Sequence, residues 1–315
     1  MEALFDLSKE HPTMPVAEIR ACLKTYGVKY DEIYHNGIFI ASVKSRVNWE
    51  KIADRLAMSF SINEIVGKSI EEMLENIEIE GSFKVEGGNM ELRKKIGKII
   101  VEEKGAKVNL ENPDIVIKIF GKYFCREIAR IDRSQFETRR PMQRPFSMPT
   151  TMHPRIARAL VNLAEIKENE VLVDPFCGTG GILIEAGLIG IKIIGAEIKE
   201  ELVKGCQKNL EHYGIKNYKL CNADMRKMDI GLEADAIVTD FPYGRASHLS
   251  DELEKLYKEA FEKMASWIKR GRKAVIGLPS MKFNEEMKKY FEIEQIHPAR
   301  VHKSLIRFFY VLRKK

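Results

Sequence analysis

From Val171 onward the chain repeats one pattern: a short apolar run, a turn, then a helical stretch. The apolar runs are VLVD, IKIIGAE, YKLCNA, DAIVTD and KAVIGLP. Between them, Lys199 to Tyr213 places Leu202, Cys206, Leu210 and Tyr213 on one helical side. The stretch DELEKLYKEAFEKMASWIK does the same with Leu253, Leu256, Tyr257, Phe261, Met264 and Ile268. Strands that alternate with helices run parallel, and helices then cover both faces of the sheet. The final stretch, FEIEQIHPARVHKSLIRFFYVLRK, leaves no room for helical crossovers. It is predicted to be an antiparallel hairpin at one end of the sheet. The fold class is therefore α/β, a Rossmann-like sheet with an antiparallel C-terminal hairpin.

In such a sheet, ligands bind beyond the carboxyl ends of the strands. Four of those ends carry an acid: Asp174, Glu197, Asp224 and Asp240. Any one of them could be a turn residue or a helix cap, but four at one edge are harder to explain that way. Asp174 opens the turn Pro175-Phe176-Cys177-Gly178-Thr179-Gly180. Gly178 and Gly180 would let the backbone pass close to a ligand. A dinucleotide site would show G-x-G-x-x-G, and here the third position is Leu183. A P-loop lysine is also missing. Glu197 lies close to the spacing at which an acid grips ribose hydroxyls. The set fits an adenosine-bearing cofactor without a pyrophosphate, and S-adenosylmethionine meets that description. Its ribose is expected at Glu197, its adenine near Asp224 and Met225, and its methionine part near Asp174 and the glycine turn, with Ile198 and Asp240 as further cofactor contacts.

The fourth strand runs into Thr239-Asp240-Phe241-Pro242-Tyr243-Gly244. This resembles the D/N-P-P-Y motif of methyltransferases that modify exocyclic amino groups of bases. An aromatic amine delocalises its lone pair into the ring and is a poor nucleophile. The Asp240 carboxylate and the Phe241 carbonyl can accept its two N–H hydrogens, which favours a pyramidal nitrogen. Pro242 holds the turn, and Tyr243 offers a flat face for an extruded base. Phe241 stands where the motif has proline. Because a backbone carbonyl does the accepting, proline at this position is expected to be tolerated.

The chain carries 52 Lys and Arg against 46 Asp and Glu, a balance too even to name a partner. Placement says more. Basic residues crowd between Lys122 and Arg158, and arginine dominates. Its planar fork suits phosphate, so Lys122, Arg126, Arg130, Arg139, Arg140 and Arg144 are candidate RNA ligands. Binding through them would weaken steeply with salt. Prolines 141, 145, 149 and 154 interrupt this region, which reads as an extended basic linker. A helix is expected from Pro154, and beside it His153 reads as a cap or a packing residue.

Before Ile131 the pattern is a smaller α+β mixture. GIFIASVK and SFKVEG read as strands, and NMELRKKIGKIIVEEKG reads as a helix ended by Gly105. Within WEKIADRLAMSFSINEIV, Ile52, Leu56 and Phe60 fall at helical spacing. DIVIKIFGKYFCREIA alternates like a strand pair. The five cysteines are odd in number and form no close C-x-x-C pair, so neither a disulfide framework nor a zinc site is indicated. The seven histidines show no ligand spacing, and no metal is expected. No apolar run approaches the roughly 20 residues of a membrane helix. The acidic, mixed N-terminal stretch does not look like a signal peptide, so a cytoplasmic location is expected.

Three strings carry a family resemblance: DRSQFETRRPMQRPFSMPTTMHPRIARALVNLA, DPFCGTGGILIEAGLIG and TDFPYGR. They are similar to the archaeal tRNA guanine-10 methyltransferases, which modify the 2-amino group, and the similarity covers nearly the whole chain. The resemblance implies a ferredoxin-like segment at 1–55 and a THUMP RNA-binding domain at 56–131. A basic linker would follow at 132–150 and an S-adenosylmethionine-dependent methyltransferase domain at 151–315. It also implies that Thr151 lies near the methionine part of the cofactor, and that tRNA is the partner. Related enzymes act on guanosine 6 of tRNA or on rRNA, so the position stays open here, as does the number of methyl groups. A non-catalytic RNA-binding protein is the contrasting class, with Phe241 as its only support. A monomer is expected. The eukaryotic relative works with a small activating protein, which leaves room for such a partner.

Overall fold

The computed structural model of the protein describes all residues except 36, 149–150, 243–250 and 303–304, and the side chains of 301, 302 and 305. The chain divides into two compact units. One comprises residues 1–10, 27–54 and 59–132; the other comprises 11–26, 55–58 and 133–315.

The first unit contains strands β1 (Glu2–Leu7), β2 (Tyr30–His35), β3 (Ile38–Val43), β4 (Ser59–Gly67), β5 (Ser82–Gly87), β6 (Lys107–Val108), β7 (Ile115–Phe120) and β8 (Tyr123–Arg130). They form one sheet in the order β2-β3-β1-β4-β8-β7-β5-β6. Helix Met90–Lys104 packs Ile96 and Ile100 on Phe83 and Ile117 of that sheet. Its ends follow from local chemistry. The Asn89 side chain accepts from the Leu92 N–H at 2.8 Å, and Gly105 closes the helix in the left-handed region at φ 65°. The helical spacing of Ile52, Leu56 and Phe60 does not run through. The helix stops at Arg55, and Ser59–Gly67 is a strand between β1 and β8 with Phe60 exposed. Pairing on both sides satisfies the backbone of Ser59, Ser61 and Asn63 and carries these polar residues into the interior.

The second unit contains β9 (Val171–Asp174), β10 (Lys192–Glu197), β11 (Tyr218–Asn222), β12 (Ala234–Asp240), β13 (Ile268–Leu278), β14 (Phe291–His302) and β15 (Leu305–Lys314). Their order is β11-β10-β9-β12-β13-β15-β14. The first five are parallel, and β15 and β14 add antiparallel. From β9 the chain winds outward to β10 and β11, then returns to the other side for β12 and β13. The order therefore reverses between β9 and β12, and a crevice opens beyond their carboxyl ends.

Alternation along the central strands feeds two apolar layers. Leu172, Ile193 and Val238 face a layer with Leu160, Leu183 and Leu210. Val173, Ile194 and Ile237 face the opposite layer with Tyr257, Phe261 and Met264. Helix Met14–Thr25 belongs to this second unit and places Met14, Ala17 and Ala21 in the first layer. Its Glu18 is fully buried and accepts from the Ala57 and Met58 N–H groups at 3.0 and 2.9 Å and from the Asn162 amide at 2.8 Å. Burial pushes the Glu18 carboxyl up to about 6 against the pull of those donors. Arg55 donates to the Asn162 side chain and to the Ile166 carbonyl, each at 2.9 Å.

Candidate active site

A cavity of about 500 Å³ occupies the crevice of the second unit, within the range of small-molecule sites. Thr151, Asp174, Pro175, Phe176, Cys177, Gly178, Thr179, Glu197, Ile198, Asp224, Met225, Asp240, Phe241 and Pro242 all line it. Leu202 and Leu256, expected as packing positions of their helices, also line it, as do Met148, Met152 and Arg226, which no sequence pattern singles out. Tyr243 lies outside the described residues.

The two glycines of the turn do different work. Gly178 sits at φ 51°, and a methyl group built on it would meet nothing within 4 Å. That is the open cradle expected of a ligand-facing turn. Gly180 also needs the left-handed region, at φ 85°, but a methyl group there would come within 2.6 Å of the Cys206 sulfur. It allows helix Gly181–Gly187 to pack on helix Glu200–His212, and the cavity wall passes it by. Thr151 reaches the Thr179 hydroxyl at 3.2 Å, which ties the segment before helix Pro154–Leu163 to the turn. His153 caps that helix by accepting from the Arg155 N–H at 3.2 Å.

The acids are held in contrasting ways. Asp174 is buried and accepts from the Thr239 hydroxyl at 2.5 Å and the Phe176 N–H at 3.1 Å. Burial pushes its carboxyl up to about 7, more than these bonds can offset, and Asp240 and Glu197 add like charge. Glu197 accepts from the Lys199 N–H at 2.9 Å. Asp224 is gripped by Arg226, at 2.9 Å to one oxygen and 2.5 Å to the other, which holds it below the usual carboxylate range. Its charge is therefore answered within the chain, and Met225 offers the apolar surface beside it.

Asp240 ends β12 opposite Gly277 of β13. Its Oδ1 is covered, lies where a Gly277 side chain would stand, and meets no hydrogen-bond donor among the described residues. Its Oδ2 meets the Arg307 guanidinium of β15 at 3.1 Å. The side chain is 18% exposed, and that exposure is not at Oδ1. Burial pushes the carboxyl up to about 6, and Arg307 opposes the rise. The Phe241 ring turns away from the cavity into the core. It packs on Phe176 and Tyr257 with centroids 4.9 Å away and on Phe261 at 5.5 Å. The Phe241 N–H donates to the Gly277 carbonyl at 3.0 Å, and the Tyr257 hydroxyl donates to the Pro242 carbonyl. These bonds fix the backbone of the motif from both sides.

The arginines of the 133–158 region separate into two groups. Arg139 and Arg144 are buried, and this corrects the reading of both as surface phosphate ligands. Arg139 pairs with Glu185 at 2.8 Å, and Arg158 meets the same fully buried carboxylate at 3.0 Å. Arg144 donates to the Arg139 carbonyl at 2.9 Å. One internal anion attracts the charge that composition alone assigned to RNA, and the segment is a short helix and a 3₁₀ turn laid on its own unit. Arg140 stays exposed beside Glu137. In the first unit, Lys122 is exposed, Arg126 pairs with Glu64 at 2.6 Å, and Arg130 pairs with Glu127 at 2.7 Å. Among the described residues no cluster of three or more metal-ligating side chains occurs, and no helix is long and apolar enough to cross a membrane.

Comparison with known proteins agrees with this geometry. Residues 141–308 match the family model described as RMKL-like, methyltransferase domain. Residues 17–208 match one described as DNA methylase, a stretch that stops short of β12 and Asp240. The tRNA (guanine(10)-N2)-dimethyltransferase of Methanothermobacter thermautotrophicus is 34% identical across 100% of both chains. That of Pyrococcus abyssi is 40% identical over 71% of this chain and 69% of its own. The crystal structure of TrmN from Thermus thermophilus covers all of both chains with a TM-score of 0.55 at 16% identity, a likeness of fold. With a full-length relative above 30% identity and a methyltransferase model spanning more than half the sequence, the chain belongs to the tRNA (guanine(10)-N2)-dimethyltransferase family.

Proposed function

We propose that this protein uses S-adenosylmethionine to methylate the exocyclic 2-amino group of guanosine 10 in tRNA. The observation that carries the reading is the wall shared by Asp240, Phe241 and Pro242 with the glycine turn and the strand-end acids, all on one cavity at the reversal of strand order. S-adenosylmethionine supplies a methyl group on a sulfonium whose sulfur departs as a neutral thioether.

The chain's residues bind and orient. Glu197 takes the ribose hydroxyls, Met225 and Ile198 take the adenine face, and Asp174 suits the ammonium of the methionine part. The open Gly178 lets the backbone approach. Asp240 and the Phe241 carbonyl accept the two amine hydrogens and turn the nitrogen lone pair toward the methyl carbon. Asp240 then holds the proton that the nitrogen loses. Holding both reactants in line supplies most of the rate. Two acceptors serve a second transfer as well as the first, and the relatives' names favour the dimethyl product.

The first unit is read as the ferredoxin-like and THUMP part that grips tRNA, with Lys122, Arg126 and Arg130 toward its phosphates and Arg140 assisting from the linker. Purified protein, labelled S-adenosylmethionine and unmodified tRNA transcript test the whole reading, with the modified nucleoside mapped by mass spectrometry. Methyl on the 2-amino group of guanosine 10 is expected from the protein alone. Asp240→Ala should abolish transfer and leave tRNA binding nearly intact. Equal loss of transfer and binding would overturn the role given to Asp240.

A further inference from the structure

The acceptor role sets Asp240 a requirement that its surroundings resist. To hold the proton that the nitrogen loses, the carboxyl must start ionised, because the protonated form still accepts a hydrogen bond but cannot take up that proton. Yet β12 buries it, Oδ1 meets no donor, and a second acid, Asp174, stands at the end of the neighbouring strand. Helix Asp251–Trp267 offers it only the neutral Tyr257, whose hydroxyl is committed to the Pro242 carbonyl. On the other side, β13 presents Gly277, which has no side chain. Among the described residues, the positive charge that faces this carboxylate comes from β15. Arg307 is only 6% exposed in a strand otherwise rich in apolar residues, and its Nη1 lies 3.1 Å from Oδ2. A guanidinium buried at that depth is costly unless it answers a charge.

We propose that Arg307 is the positioning residue of the reaction: it keeps Asp240 ionised at neutral pH, fixes the plane of its carboxylate at the cavity wall, and so sets the acid limit of methyl transfer. The proposal rests on the reading of Asp240 as the group that holds the proton lost by the amine. Among the described residues, burial pushes this carboxyl upward and Arg307 restrains it. Removing the guanidinium should therefore carry the midpoint to neutrality or beyond, where the protonated carboxyl cannot take the proton that the amine loses. A lysine at 307 keeps the charge but not the fixed plane.

The test compares the parent with Arg307→Met and Arg307→Lys. The Asp240 carboxyl is followed by NMR on protein with ¹³C-labelled aspartate, assigned by its disappearance in Asp240→Asn. Single-turnover transfer to the transcript is measured across pH, and affinity for S-adenosylhomocysteine is measured alongside to report an intact cavity. In the parent the carboxyl should titrate near 6. In Arg307→Met the midpoint should rise by about one unit or more, so transfer falls by about twofold or more at neutral pH and by about tenfold at pH 5, and it recovers in alkaline buffer. KM for tRNA and affinity for S-adenosylhomocysteine should hold, and Arg307→Lys should regain most of the rate. An unmoved Asp240 titration, or a loss equal at every pH, would overturn the proposal. Should Arg307→Met fail to bind S-adenosylhomocysteine, Arg307→Gln serves in its place with the same expected shift. Parental transfer by Asp240→Asn would instead sink the proton-holding role, and the Asp240 titration in Arg307→Met would still show whether Arg307 governs this carboxyl.

Discussion

Proline at position 241 restores the common form of the motif, and the structure expects it to damage the fold. Seen from sequence alone, the chemistry of this residue lies in its carbonyl, which leaves room for proline. The ring, however, is fully buried between Phe176, Tyr257 and Phe261. Truncating a buried phenylalanine to alanine costs about 3–5 kcal/mol. Proline fills part of that space, which favours the lower end of the range. It also removes the N–H that donates to the Gly277 carbonyl, worth about 1 kcal/mol. The sum is about 4 kcal/mol, a large fraction of the roughly 5–15 kcal/mol that holds a domain folded. For a unit of about 200 residues, each kcal/mol moves the melting temperature by about 2–4 °C, so the transition should fall by about 8–16 °C. Thermal unfolding followed by circular dichroism reads this directly, and methyl transfer well below the transition separates fold from chemistry. Phe241→Leu, which keeps the N–H and most of the volume, should lose only about 1–1.5 kcal/mol and retain transfer. A proline variant that melts within about 2 °C of the parent would refute the reasoning.

Two further predictions concern the glycine turn and its acid. Gly180→Ala meets the Cys206 sulfur and should lower stability by about 3 kcal/mol, whereas Gly178→Ala enters open space and should mainly weaken cofactor affinity; melting curves and calorimetry with S-adenosylhomocysteine separate the two. Asp174 titrates near 7 in the fold against 3.8 as its ordinary value, so its contribution to stability is greatest below the ordinary value and is lost as pH rises through the folded one. Asp174→Asn should therefore be more stable than the parent above pH 7 by up to about 4 kcal/mol, lose that advantage in acid, and bind S-adenosylhomocysteine poorly; denaturant titrations at several pH values check the sign.

The parallel sheet, its C-terminal hairpin and the row of strand-end acids were legible because period and position carry them. Gly178 was legible because an open turn after a strand has few other uses. Less accessible were features that depend on which residues meet across long separations. Arg307 lies 67 positions from Asp240, and the one clue in sequence was a cation inside the apolar run SLIRFFYV. Arg139 and Arg144 looked like surface charge because their partner Glu185 sits inside an apolar helix beyond the linker. Phe60 misled for a related reason. Its spacing from Ile52 and Leu56 is helical, but pairing between β1 and β8 turns it outward.

Helix Met14–Thr25 carries a consequence for synthesis. It leaves the ribosome more than a hundred residues ahead of helix Pro154–Leu163, the surface it packs on. At bacterial-type elongation rates of about 5–20 residues per second, the delay is on the order of ten seconds. During that interval Glu18 is an ordinary solvated carboxylate, and Met14, Ala17 and Ala21 have no surface to cover them. The first sheet can close through β8 in the meantime, so the nascent chain matures in an order that its numbering does not follow. A fragment that begins after residue 132 would lack this helix together with the Arg55 and Glu18 groups that satisfy Asn162. Expressed alone, that fragment should aggregate, and supplying residues 11–58 in trans should restore its solubility.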